Sequence, residues 1–378
     1  MTAHGDPHPS SPVREVGAYT VTISDAPDDA AWDEFVEQAP GGHHAQTSAW
    51  GRARASIGWM PVRVVVRQDR RVVGGAQMVR RPMPVGGEIG FVHRGPVVPE
   101  DRPDLAALVL DELLRMGRAQ RVAYLVVQPP PGADWIVGEL RRRGFRLGAF
   151  DIDMTATIRL DLRPDLDELL AGMDKKRRQH IRSAVKRGVV VRRGSEADLP
   201  IFNRLKDMQS ARLGYTRRSA EYYAEVWRAL SPRGHIELFI AEYEGEPVAA
   251  ELTIPFGDVC RHMERPWSGE HADLRSNEAL EWEVMKWAKS QGYHFTDLEG
   301  VDGPVAEAVL SGSKLPEDGR HSASLFKVRY GGSVVIDPYS YDYVYNPVLR
   351  FAYHCIPVRV MRSAWMRRLL FKFRETGS

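Results

Sequence analysis

Cysteine is almost missing from this chain of 378 residues; Cys260 and Cys355 are the only two. Two thiols build neither a disulfide framework nor a zinc site, so stability has to come from packed cores, and a reducing cytoplasm is the expected setting. A surplus of one charge is missing as well. Lys and Arg number 52 against 50 Asp and Glu, a formal net charge of +2. That excludes a strong overall field drawing in nucleic acid, and any basic surface has to be local. No apolar run is long enough to span a membrane, and the first residues lack a signal-peptide core. The expected localisation is cytoplasmic, with room for a peripheral place on the inner face of the membrane. A Walker loop, an ordered Ser-His-Asp set and metal-spaced histidines are all lacking, and His43-His44 reads as loop. No metal and no bound cofactor are expected.

What is present is one supersecondary unit written twice. In the second copy, Leu238-Phe239-Ile240-Ala241 turns at Glu244-Gly245-Glu246-Pro247 into Val248 to Ile254. A third strand-like piece and a polar loop follow. Asn277 to Ser290 then carries apolar residues at helical spacing, and His294 to Leu298 reads as a short buried strand. In the first copy, Arg63 to Arg67 and Val72 to Met78 form a hairpin, Glu88 to Val98 a strand, Pro103 to Gln120 a helix, and Arg121 to Val127 a strand. Hairpin, crossover helix and further strand build mixed sheets that split open around a substrate. The pattern looks like the core of a GNAT-type acyltransferase. The expected fold is α/β with mixed α+β sheets: two tandem GNAT-like domains and no long coiled-coil arm. The repeat sets the expected bounds. Residues 1–15 form a disordered tail, 16–155 the first domain joined by the segment 338–378, and 156–337 the second domain.

Between these landmarks, Gln46 to Ile57 reads as one helix capped at Thr47 or Ser48, and Asp153 to Leu162 as an exposed joining strand. Gly303 to Arg320, rich in Gly, Pro and Ser, reads as a long loop of the kind that carries function.

Four short stretches, in order along the chain, carry a more specific resemblance. They are Gln46-Thr47-Ser48-Ala49-Trp50, Arg94-Gly95-Pro96, Arg218-Ser219-Ala220-Glu221-Tyr222, and Phe326-Lys327 followed by Tyr330-Gly331-Gly332. Together they resemble the FemXAB family, the aminoacyl-tRNA-dependent transferases that add amino acids to peptidoglycan precursors. Tyr330 stands where that family usually has Phe. The resemblance implies attack of an acceptor amine on the ester of an aminoacyl-tRNA, with no ATP site needed. It implies a catalytic role for Lys327, as a fixed cation beside the ester oxygen on which charge develops. The lysine is expected on a strand edge just before the Gly-Gly turn. Phe326 beside it is expected to touch substrate.

The resemblance also implies that Arg54, Arg218 and Tyr222 meet acceptor phosphate. Arg54 lies eight residues after Gln46, nearly on the same helical face, and Arg218 and Tyr222 are four apart. A surface or packing role is the alternative for all three, and Trp50 reads as core. His262 and Glu264 stand where the family usually has aromatic acceptor contacts, so the acceptor is either a muropeptide precursor or a small specialised metabolite. A surface ion pair between Glu264 and a neighbouring Arg is the other reading. Lys175, Lys176, Arg177, Arg178 and Arg182 open a dense basic segment; positions 175, 178, 182 and 186 form one helical stripe. It suits a tRNA acceptor stem, and a solvated face is its alternative. The basic and apolar C-terminal segment from Val348 suits an anionic membrane, RNA, or packing on the first domain. The expected partners are therefore aminoacyl-tRNA, an amine acceptor and a membrane surface, for a monomeric enzyme. The alternative function is an acyl-CoA-dependent GNAT N-acyltransferase. Arg71-Val72-Val73-Gly74-Gly75-Ala76 matches the coenzyme pattern, but it falls inside a hairpin strand, and Trp267 to Asn277 lacks clustered glycines.

Overall fold

The computed structural model describes residues 13–83, 86–316 and 322–362. Most of the N-terminal tail and the basic residues beyond Arg362 lie outside that set. The described residues form two compact units, 13–153 with 338–362, and 154–337.

The first unit is built on an eight-stranded sheet. Its order is Val13–Val16, Tyr19–Ser24, Met60–Gln68, Arg71–Pro82, Glu88–His93, Val122–Gln128, Tyr341–Val344 and Arg146–Leu147. The long hairpin turns at Asp69 and Arg70, both at positive φ, the geometry that matches strand twist. Glu88–His93 and Val122–Gln128 run parallel. Parallel neighbours need a crossover, and the helix Pro103–Ala119 supplies it. Its Leu105, Val109, Leu110, Leu113 and Met116 recur at helical spacing and are buried against the sheet. Gly95–Pro96, just past the parallel strand, is a cis peptide.

The second unit repeats the plan with seven strands. The order is Ser333–Ile336, Ala156–Asp161, Phe295–Gly300, Val259–Glu264, Glu246–Phe256, Glu237–Tyr243 and Val190–Arg193. Its hairpin also turns on two positive-φ residues, Glu244 and Gly245. Its parallel pair, Val259–Glu264 with Phe295–Gly300, is bridged by the helix Ser276–Ser290. Leu280, Val284, Met285 and Ala288 of that helix enter the core.

Three expectations are corrected. Ala156–Asp161 is an interior strand with Ile158 and Leu160 in the core, not an exposed joiner. Its alternating pattern reflects one face packed under helices. Gly303–Ser311 is a helix, with Pro304 in its first turn and Gly312 left-handed at its end. The Gly and Pro that suggested a loop are its terminators. Ser322–Val328 is likewise a helix, so Lys327 sits in a last helical turn and not on a strand edge.

Candidate active site

The parallel strands of the second unit separate. Val259 pairs with Phe295, Cys260 with Thr296 and Arg261 with Asp297, and there the register ends. Both strands run on, one to Glu264 and the other to Gly300, with Glu299 at a φ of 59°. Because the strands are parallel, both free ends lie at the same edge of the sheet. Backbone groups at such a split need partners. Lys327 provides one: its Nζ donates to the carbonyl oxygens of Glu299 at 2.9 Å and Gly300 at 2.7 Å. No acceptor for the third ammonium hydrogen lies among the described residues. Burial, and then the charge of Arg265, lowers the Lys327 pKa to about 8; Glu299, Asp297 and Glu281 pull the other way.

The helix carrying Lys327 is clamped from below. Arg177 donates to the Phe326 carbonyl at 3.0 Å, and its guanidinium lies 4.2 Å from the Phe326 ring and 4.4 Å from the Tyr330 ring. Arg177 also pairs with Glu278 at 2.9 Å, and Glu278 meets His180 at 3.0 Å. The Gly331-Gly332 turn is there for close approach. A Cβ on Gly331 would stand 2.8 Å from the Gly172 oxygen, and one on Gly332 2.6 Å from the Arg159 oxygen. Both glycines also have positive φ.

Behind the split lies a buried ionic network. Glu251 and Glu281 are both fully buried, with His262 and Arg265 between them. Arg265 donates to Glu251 at 3.0 and 3.3 Å, and also pairs with Glu281. His262 pairs with Glu251 and lies 3.3 Å from Glu281 and 3.0 Å from the Thr296 hydroxyl. Burial alone would raise the Glu251 pKa, but Arg265 and His262 outweigh it and hold the group at about 2. Burial dominates at Glu281, which is raised. At His262 the two glutamates outweigh burial and raise the imidazole. Glu251, His262 and Glu281 could each offer a metal one ligand atom within 4.8 Å of the others. Arg265 already pairs with both carboxylates, and a cation there would face its guanidinium. The arrangement is an ion-pair net.

Next along the same strand, Glu264 accepts from Lys206 at 2.8 Å and from the Tyr223 hydroxyl at 3.0 Å. Its partner is thus a buried lysine and not a neighbouring surface Arg. Tyr223 packs edge-on against Tyr222, whose ring lies 4.8 Å from the Arg218 guanidinium. Arg218 does not share a helix with Tyr222. Ser219 caps the helix Ala220–Leu230, and Arg218 precedes the cap. Tyr222 is buried, so it offers a platform and Arg218 the exposed charge. Arg218, Tyr222, Glu264, His262, Phe326 and Lys327 all belong to this unit.

Arg54 belongs to the other unit, half-buried with its guanidinium 5.2 Å from the Trp59 ring. Gln46 lies in a short turn before the helix Ser48–Ala55 and shares no helical face with Arg54. Gln46 is a fastener: its side chain accepts from the Gln77 amide at 2.7 Å and donates to the Gln77 and His93 carbonyls. Trp50 is half-buried.

The basic segment is the helix Lys175–Lys186. Lys175, Lys176, Arg182 and Lys186 are exposed on it. Arg177 is not; it is buried against Glu278, because the face it shares with Ile181 and Ala184 is the packed one. Arg178 turns back to the carbonyls of Ala171 at 2.9 Å and Met173 at 2.6 Å.

Sequence reasoning missed Glu251, Arg265 and Glu281. The available signal was Glu251 itself, a charge inside the apolar run Val248 to Ile254, which has to find a buried partner.

Comparison with known proteins gives a consistent set of matches. The model of the FemAB family matches residues 28–252. A lipid II:glycine glycyltransferase of Staphylococcus aureus is 24% identical over 310 residues, covering 78% of this chain and 73% of that protein. The crystal structure of FemX superposes with a TM-score of 0.76 at 20% identity, over 85% of this chain and 97% of that one. A tandem GNAT protein from the clavulanic acid biosynthesis pathway reaches 0.51 at 11% identity, over 86% of this chain and 99% of that one.

Proposed function

Because the chain belongs to the FemAB family, we propose that it moves an amino acid from aminoacyl-tRNA to an amine on a peptidoglycan precursor. That it is an enzyme of the aminoacyltransferase class goes with the family, and its relative glycylates lipid II by name. The observation that carries the proposal is the ammonium of Lys327, held on two carbonyls at the strand split with a hydrogen to spare.

In the reaction, the acceptor nitrogen attacks the ester carbonyl carbon. The carbonyl oxygen becomes an oxyanion, and the Lys327 ammonium stabilises it. The C–O bond to the ribose then breaks, the amide C–N bond remains, and the proton lost by the amine ends on the ribose hydroxyl. Ester and amine become amide and alcohol, so no nucleotide hydrolysis enters. The exposed cations Lys175, Lys176 and Arg182 suit the phosphates of the tRNA. Arg218 on its tyrosine platform suits acceptor phosphate.

The test is transfer of labelled amino acid from a total charged-tRNA pool to acceptor amines, with and without prior RNase. RNase-sensitive label in an amide product is the expected result. Consumption of acetyl-CoA with no transfer from tRNA would overturn the reading.

A further inference from the structure

The helix Pro347–Cys355 in the first unit is amphipathic the wrong way round for a soluble surface. Its polar side faces the protein. Arg350 lies 4.6 Å from the Tyr343 ring and donates to the Val344 carbonyl at 3.3 Å. Tyr353 donates to Asp342, which also accepts from Tyr124. Its apolar side faces water. Val348, Phe351, Ala352 and Cys355 stand at i, i+3, i+4 and i+7, one stripe of a helix. Val348 and Phe351 are each 74% exposed and Leu349 60%; Ala352 and Cys355 are exposed too. Such a contiguous apolar patch marks an interaction site.

The charge around it selects the occupant. From Asn346 to Arg374 the sequence holds six Arg, one Lys and no Asp or Glu. Arg359, just past the helix, is exposed. A second copy laid on this face would bring the same cationic tract against itself, and the chain's own continuation is equally cationic. Among the described residues, an apolar stripe followed by the exposed Arg359, with no Asp or Glu from Asn346 to Arg362, is complementary to anionic lipid.

We propose that the helix Pro347–Cys355 docks the enzyme on an anionic lipid surface, with Val348, Phe351, Ala352 and Cys355 turned into the acyl boundary. The proposal rests on this face alone and does not depend on the donor or acceptor of the transfer reaction.

Cys355 makes it directly readable. It lies on the stripe and is exposed, whereas Cys260 is buried, so a polarity-sensitive maleimide dye on the full chain reports this position. The expected result is a blue shift with vesicles of phosphatidylcholine and phosphatidylglycerol in equal parts, and none with phosphatidylcholine alone. Flotation of the unlabelled chain with the same vesicles should fall at least about tenfold in V348E/F351E, since two exposed apolar anchors are removed. It should also weaken with salt. No lipid-dependent shift, or flotation unchanged in V348E/F351E, would overturn the proposal. So would a blue shift without lipid, which at constant strength means the chain covers its own face, and if rising with protein concentration means a second copy does.

Discussion

Lys327 has two hydrogen bonds to carbonyl oxygens and a pKa lowered to about 8 by burial and Arg265. The protonated form is the one that stabilises an oxyanion. The transfer rate is therefore expected to fall as pH rises through about 8, where the folded enzyme loses that proton, well below the ordinary lysine value of 10.5. Lys327→Ala should lower kcat by about 100- to 1,000-fold with little change in acceptor KM; full activity in a variant that still binds substrate would remove the lysine from the mechanism. Arg265 gives a linked prediction. Its charge lowers the Lys327 pKa, so in Arg265→Met the alkaline limb should move to higher pH. The same change leaves Glu251 and Glu281 buried without their shared cation, at a cost of about 3–5 kcal/mol, measurable by urea unfolding. Glu251→Gln separates the two effects, since it keeps Arg265 in place.

At the scale of elements, the helix Lys175–Lys186 has two sides with different jobs. Under the proposed reading, K175E/K176E/R182E should raise the KM for charged tRNA several-fold and leave the unfolding midpoint nearly unchanged. Arg177→Met should do the reverse, loosening the clamp on Phe326 and lowering stability. A KM for tRNA unmoved by the triple change would make the outer side a merely solvated one. The Gly331-Gly332 turn is also an element with a fixed requirement. Gly331→Ala meets a left-handed φ of 81° and the Gly172 oxygen, and should destabilise by at least about 1–2 kcal/mol in the same unfolding assay. These elements show what was legible in the sequence. Both hairpins, both crossover helices and both parallel strands could be read from periodicity, because burial on one face repeats at 2 or 3.6 residues. Periodicity locates a face without saying what covers it. For that reason Arg177 read as one cation among several until Glu278 was seen beside it. Motif spacing placed Lys327 beside the Gly-Gly turn but not on its helix, since Ser322–Val328 is too short to show a period. Gln46 stood out in the sequence, yet its hydrogen bonds to Gln77 and His93 join residues about 30 and 47 positions away, which no local pattern reports.

At the scale of the whole molecule, the second unit is continuous in sequence and the first is not. Tyr341–Val344 lies inside the first unit's sheet, between Val122–Gln128 and Arg146–Leu147. Residues 154–337 expressed alone should unfold cooperatively. A chain stopped after Asp337 should lose the cooperative transition of its first unit, because it leaves an open gap among hydrogen-bonding strands. Two transitions in the full chain and one in the shortened chain, followed by calorimetry, would be the expected pair of traces.

That late strand also bears on how the protein is made. A ribosome delivers residues in order, and domains fold as they emerge. Here the first unit to begin is the last to be completed. Its sheet waits with the flank of Val122–Gln128 uncovered while the entire second unit is synthesised and closes. Only when Tyr341–Val344 leaves the exit tunnel can that flank be sealed. Any pause in translation between Asp153 and Pro338 prolongs the interval in which an unsealed strand is offered to other nascent chains.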